Sequence, residues 1–157
     1  MIQGLAALPA AAVAAAAGAV AERVHRDAVE PAIAAAAVTA AEDFCGRVLI
    51  ARDAVQVVEA GGGWQALVHG PVRGIAGTHP VDIDAGGTGW VRVGARTTVR
   101  YQAGLAEDWA ALPPGIVQGI ALFGAVLATD GADAPLPAGV TALWRPWRRV
   151  RIGAHRA

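Results

Sequence analysis

Several groups of residues have types and spacing that could do chemistry, and each also has a plainer role. His79, Asp82 and Asp84 are metal-ligand types, and a strand's period of two places the two aspartates on one face. A zinc site also needs an organised outer shell to orient its ligands. One histidine on a loop and two aspartates on a strand do not supply it, so no metal is assigned. The run Asp84-Ala-Gly-Gly-Thr-Gly-Trp90 is rich in glycine, as phosphate-binding loops are. Arg92 stands where the last glycine of a Gly-x-Gly-x-x-Gly pattern would fall, and the run lies between strands, so it reads as a hairpin turn. Glu107 and Asp108 are adjacent carboxylates, whereas a carboxylate-pair hydrolase needs its two groups across a cleft. They read as a polar loop anchored by Trp109. Cys45 is the only cysteine, which excludes an internal disulfide and a thiolate cluster within one chain. No histidine stands where it could activate that thiol, so Cys45 reads as a small buried residue near a helix end. The sequence alone suggests no partner for His25, His69 and His155, and they are expected to be surface residues.

The remaining group lies at the end of the chain. Arg145, Arg148, Arg149, Arg151 and Arg156 crowd residues 145–157, and no acid follows Asp133. Trp144 and Trp147 stand among them, and tryptophan and arginine are enriched at interface hot spots. Arg149 and Arg151 alternate with Val150 and Ile152, so an extended tail offers one cationic and one apolar face. Trp144, Trp147, Arg148, Arg149, Val150, Arg151 and Ile152 are therefore assigned as a docking group. A chain end can also be merely solvated, but the interleaved tryptophans and aliphatics favour docking.

Composition narrows the classes further. A chain of 157 residues suits one domain. Basic and acidic residues balance at 13 each, so bulk charge calls for no polyanionic partner. Lysine, serine and asparagine are absent. That removes the P-loop lysine, serine-nucleophile triads and Schiff-base chemistry. No catalytic residue and no cofactor is assigned, and the chain reads as a non-enzyme. The apolar run Gly4 to Ala21 lacks a positive flank, and Pro9 and Gly18 interrupt it. It is expected to be an alanine-rich packing helix and not a signal peptide or membrane span.

The elements that would position these groups follow from periodicity. Helices are expected over about 5–25, 27–45, 114–130 and 138–145. In the second, Val29, Ile33, Ala37, Ala40 and Phe44 share a face; Pro31 prefers the first turn, and Gly46 is a stop. Glu42 and Asp43 are expected to be solvated. Pro113 and Pro114 open the third helix, and Pro146 stops the fourth. Between them, 47–102 alternates with period two. Val48 and Ile50, then Val55 and Val57, alternate with less apolar residues, and Trp64 to His69, Val72 to Ala76, Val81 to Asp84, Trp90 to Val93 and Arg96 to Gln102 are strand candidates. Thr97, Val99 and Tyr101 share one face of the last strand; Arg96, Thr98, Arg100 and Gln102 share the other. The expected fold is α+β: mainly a helical bundle with an inserted small antiparallel β-sheet. A single domain would span 1–146, with an extended docking tail over 147–157.

The order of these features resembles the head–tail connector (adaptor) proteins of long-tailed phages and of gene transfer agents. The resemblance rests on Tyr101, Ala103 and Gly104 at a strand end, on Pro113, Pro114 and Ile120 in a proline-started helix, and on Leu136, Pro137, Gly139, Val140 and Leu143. Trp147, Arg148, Arg149 and Arg151 complete it. It covers about the last third of the chain, with a looser fit over Asp27 to Ile50. It implies a structural protein forming a ring of identical subunits, a dodecamer, between portal and tail around the DNA channel. It implies docking of the C-terminal segment on the portal protein and a downstream tail or stopper protein on the other side. DNA would pass without sequence-specific contact, no membrane would be involved, and the particle would assemble in the bacterial cytoplasm. The alternative is a nucleic-acid-binding module using the Arg/Trp segment for phosphate contact and stacking. Balanced charge argues against it as the main role, and salt-dependent DNA binding by the monomer would mark it.

Overall fold

The computed structural model describes residues 4–150. The chain begins with a short strand, β1 (Gly4–Leu5), then helices α1 (Ala10–Arg23) and α2 (Pro31–Cys45). Six strands follow: β2 (Arg52–Val58), β3 (Gln65–Ala66), β4 (Val72–Ala76), β5 (Val81–Ile83), β6 (Gly89–Val91) and β7 (Thr97–Ala103). Helices α3 (Pro114–Asp130) and α4 (Ala138–Trp144) come next, and a 3-10 turn over Arg145–Trp147 continues from α4. The fold is α+β, as expected. Among the described residues no helix is long and apolar enough to cross a membrane.

In a chain without serine or asparagine, proline takes over the starting of helices. Pro9, Pro113 and Pro137 occupy the N-cap positions of α1, α3 and α4, and Pro31 stands in the first turn of α2; none of these helices has a side-chain cap. Proline presets the backbone there, and its missing N–H would have had no partner in the first turn. This shifts two expected boundaries. The first helix starts at Ala10 and not near residue 5, because Pro9 is extended (ψ 134°) and the stretch before it pairs as β1. The second starts at Pro31 and not at Asp27, because the residue before proline, Glu30, is held extended (ψ 134°). Gly46 ends α2 in the left-handed conformation (φ 62°), as anticipated. Pro146 does not stop the chain's coiling outright; it sits inside the 3-10 turn after α4.

The β region is two sheets and not one. A four-stranded antiparallel sheet runs β1-β2-β7-β4, and a three-stranded one runs β3-β6-β5. β2 and β7 pair along their full lengths, Arg52 opposite Ala103 through Val58 opposite Thr97. On β7, Val99, Tyr101 and Ala103 are buried while Thr98, Arg100 and Gln102 face solvent, so the expected wet face is present. The alternating stretch from Val48 to Ile50 is a connection hydrogen-bonded to residues 105 and 106: Leu105 N–H donates to Val48 O at 2.9 Å and Ala106 N–H to Leu49 O at 2.9 Å.

Each half has its own core. Ala54, Val58, Leu67, Val72, Val91, Val93, Val99 and Tyr101 fill the sheet core. The helical core centres on Trp144, which is fully buried against Phe44 (6.0 Å between ring centroids) and edge-on to Phe123 (6.4 Å). Its indole Nε1 donates to Ile116 O at 3.3 Å. The indole fits because α3 carries Gly119 beneath it; a Cβ there would lie 2.2 Å from Trp144 Nε1.

One ion pair joins the halves. Glu42 on α2 grips Arg52 on β2 with both oxygens, Nη1 to Oε1 at 2.8 Å and Nη2 to Oε2 at 2.6 Å. Leu49 N–H donates to the same Oε1 at 2.8 Å, and Arg52 Nε donates to Ala6 O at 3.0 Å. The expectation of a solvated Glu42 is therefore wrong, because the chain after α2 folds back and brings Arg52 onto it. Asp43, next to it, is exposed as expected.

Candidate docking site

The C-terminal docking group divides into parts with different surroundings. Trp144 is a core residue with no exposed surface, so its place among docking residues is corrected. A short amphipathic helix must bury one face, and Trp144 is the large side chain of that face. Trp147 is half-buried and also packs on the helical core. Arg148 places its guanidinium carbon 5.4 Å from the centre of the Phe44 ring, a cation–π contact. Arg149 N–H donates to Cys45 O at 2.8 Å, and its guanidinium reaches Thr88 Oγ1. Residues 147–149 thus form a strap that ties the end of α2 to the β5–β6 turn. Val150, 73% exposed, is the first residue clear of the domain. Arg151 and Ile152 lie outside the described residues.

Sequence reasoning missed the strap's partners, Phe44, Cys45 and Thr88. The one signal was indirect: Arg149 is a long donor shortly after the last helix, and arginines near a helix end can reach back to its carbonyls. Nothing in the sequence says to what.

Cys45 lies under this strap. It is fully buried, and its thiol donates to Trp144 O at 3.9 Å. Burial pushes the thiol up to about 11; Arg47 opposes the rise and Glu42 adds to it. The folded state thus disfavours the thiolate. Any stability it contributes is full below the ordinary thiol value of 9.0 and falls as pH rises above it. A neutral maleimide at neutral pH should leave Cys45 unlabelled in the native protein and label it fully in denaturant, read by mass spectrometry; rapid native labelling would show that the strap opens freely.

The β5–β6 turn is built as a hairpin. Asp84 Oδ1 accepts from Thr88 N–H at 2.9 Å, Asp84 Oδ2 from Trp90 Nε1 at 3.0 Å, and Asp84 O from Gly87 N–H at 2.9 Å. The Trp90 indole, then the Thr88 amide, hold the exposed Asp84 carboxyl below its usual range. Asp84 is thus engaged in the turn, and Asp82 is exposed. Among the described residues no three metal-ligating side chains converge. Asp108 Oδ1 accepts from Ala111 N–H at 3.0 Å, Glu107 is exposed, and Trp109 packs on the helical core, so this loop is anchored as anticipated. His25 is exposed, His69 is half-buried with its N–H donating to Tyr101 Oη at 3.2 Å, and His155 lies outside the described residues.

Compared with solved structures, this pairing of a helical half with two small sheets has the fold of chains found in gene transfer agent particles. A chain in the neck of a native gene transfer agent particle, computed with C12 symmetry, superposes with a TM-score of 0.72 at 23% identity, over 100% of both chains. A chain in the neck of an empty particle, computed with C6 symmetry, gives 0.71 at 22% identity, again over 100% of both. A chain of a native gene transfer agent virion gives 0.68 at 24% identity, over 98% of this chain and 99% of that one. No family model matches the chain, and no curated protein matches it. The likeness is one of fold.

Proposed function

We propose that this protein is a structural head–tail connector of a gene transfer agent or phage-type particle. It forms a ring of identical subunits between portal and tail, around the channel through which DNA passes. It works by shape and docking and not by catalysis. The observation that carries this reading is the end-to-end likeness to neck chains of gene transfer agent particles. The occupied chemistry supports it: the candidate carboxylates are tied into turns or exposed, and Cys45 is buried. The nucleic-acid reading is weakened, because Arg148 and Arg149 are engaged by Phe44, Cys45 and Thr88 of their own chain.

Within this reading, the portal is engaged by the segment from Val150 onward, with Arg151 pairing to carboxylates and Val150 and Ile152 adding apolar contact or a strand to an open edge. Trp147 and Arg149 fix the position of Val150, where that segment starts. Removing residues 151–157 should leave circular dichroism and melting unchanged while lowering co-purification with portal rings by roughly tenfold or more, the equivalent of a single good anchor. Removing residues 147–157 should in addition lower the melting temperature, because it takes the strap away. A 151–157 deletion that is folded and binds portal like the full chain would place the interface elsewhere.

A further inference from the structure

The strap runs in step with the end of α2. Arg148 is extended (φ −67°, ψ 127°) and its guanidinium lies over Phe44. Arg149 N–H donates to Cys45 O, and Arg149 O faces Gly46, where an added Cβ would stand 3.3 Å from it. Arg149 Nη1 lies against Gly70, where a Cβ would stand 3.4 Å away. Gly46 and Gly70 both line a groove of about 290 Å³, and Leu5, Asp43, Arg47 and Val68 are among its other walls. The chain therefore reaches Val150 at the rim of this groove.

Two polar groups on its walls are unpaired among the described residues. Asp43 is exposed and forms no ion pair there. Arg47 Nε is buried and has no hydrogen-bond acceptor there, and a buried donor left unpaired is costly. Val68 adds an apolar wall, 54% exposed. A period of two fixes what a continued strap would present to these groups. Residues two apart in an extended segment turn their side chains to one face and their N–H and C=O groups to one edge. The Arg149 side chain is turned to Thr88 and Gly70, whereas Val150 is exposed. An extended Arg151 therefore repeats Arg149, and Ile152 repeats Val150.

We propose that residues 151–153 of the same chain occupy this groove in the free subunit and extend the strap. Arg151 O accepts from Arg47 Nε, the aliphatic stem of Arg151 lies along Val68, and its guanidinium meets Asp43. Val150 and Ile152 are then turned outward together. Ordering a segment this short costs about what these contacts return. The seat is therefore marginal, which leaves melting unchanged when the tail is removed and lets a partner take the segment over. The seat itself does not depend on the connector reading. Within that reading it holds the tail of an unassembled subunit with its apolar face outermost, and portal carboxylates replace Asp43 on Arg151 at docking.

Nuclear magnetic resonance on the free full-length chain tests the seat. Mixing isotope-labelled and unlabelled chains separates contacts within a chain from contacts between chains. Nuclear Overhauser effects between the Arg151 Hδ protons and the Val68 methyls are expected within one chain. Their absence, or their appearance only between chains, overturns the proposal. Trypsin gives a second readout, because it must take the Arg151 side chain into its own acidic pocket to cut before Ile152. Asp43→Lys puts a cation near the end of α2, which suits the helix dipole, so the fold should hold. It should speed release of residues 152–157 by roughly threefold or more, the reach of an exposed ion pair. Val68→Glu should slow that release. Cleavage after exposed Arg26 is the internal control. A rate at Arg151, relative to Arg26, that Asp43→Lys leaves unchanged overturns the seat, whatever the tail does on portal rings.

Discussion

Replacing Glu42 by alanine should destabilise the protein by about 3–5 kcal/mol, the cost of stranding a buried charge by removing its partner. Arg52 keeps 8% of its side chain exposed and Glu42 keeps 12%, so the pair is largely desolvated. The loss reaches beyond the pair. Leu49 N–H would lose its acceptor, and Arg52 would be held only by the carbonyls of Ala6 and Ile50. Replacing both residues by apolar ones of similar size, Glu42→Leu with Arg52→Met, should recover much of the loss, because desolvation of the pair offsets most of its Coulomb gain. Urea unfolding of the two single variants and the double gives the coupling energy directly. A Glu42→Ala loss under about 1 kcal/mol would mean that the pair behaves like the exposed pairs of a protein surface. It would then not be the joint between the helical and sheet halves.

Replacing Gly119 by alanine should cost about 2 kcal/mol net, although alanine is the better helix former by about 1 kcal/mol. The added Cβ would stand 2.2 Å from Trp144 Nε1 and 2.8 Å from its Cδ1. The indole cannot retreat, since Phe44 and Phe123 pack on it and its Nε1 is bonded to Ile116 O. Overpacking would also break that hydrogen bond. Gly18 in α1 is the control: a Cβ there meets nothing within 4 Å. Gly18→Ala should therefore stabilise by up to about 1 kcal/mol through propensity alone. At this chain length each kcal/mol moves the melting temperature by about 2–4 °C, so the two variants should shift in opposite directions by a readable amount. If both shift upward, α3 and α4 do not pack as closely as described.

How much of this was legible in the sequence depends on the range of the interaction. Helix α3 could be read residue by residue, because Pro113 and Pro114 open it, Gly131 closes it, and its apolar spacing is local information. The wet and dry faces of β7 were legible for the same reason, since a period of two is written in consecutive residues. Proline starts were visible too, but the outcome at Pro9 was not. Whether residues 4 and 5 extend α1 or pair as a strand depends on Val55 and Ala54 being there to receive them.

What the tertiary structure decided is the fate of side chains that could go either way. Glu42 and Asp43 are neighbours of one type, and nothing local separates them; the fold buries the first against Arg52 and leaves the second in water. Trp144 and Trp147 likewise read as one group with the arginines. A helix of seven residues has room to bury one large anchor, and Trp144 became the centre of the helical core while Trp147 was left half-covered. The division of the β region into two sheets was also beyond sequence, because strand order is set by which edges meet across turns and not by the pattern within any strand. The chain's own residues thus determined element types, stops and an end-loaded cationic segment through local sterics and periodicity. Pairing, burial and the strap across Cys45 and Thr88 came from contacts between residues far apart in sequence, whose energies exist only once the chain has closed on itself.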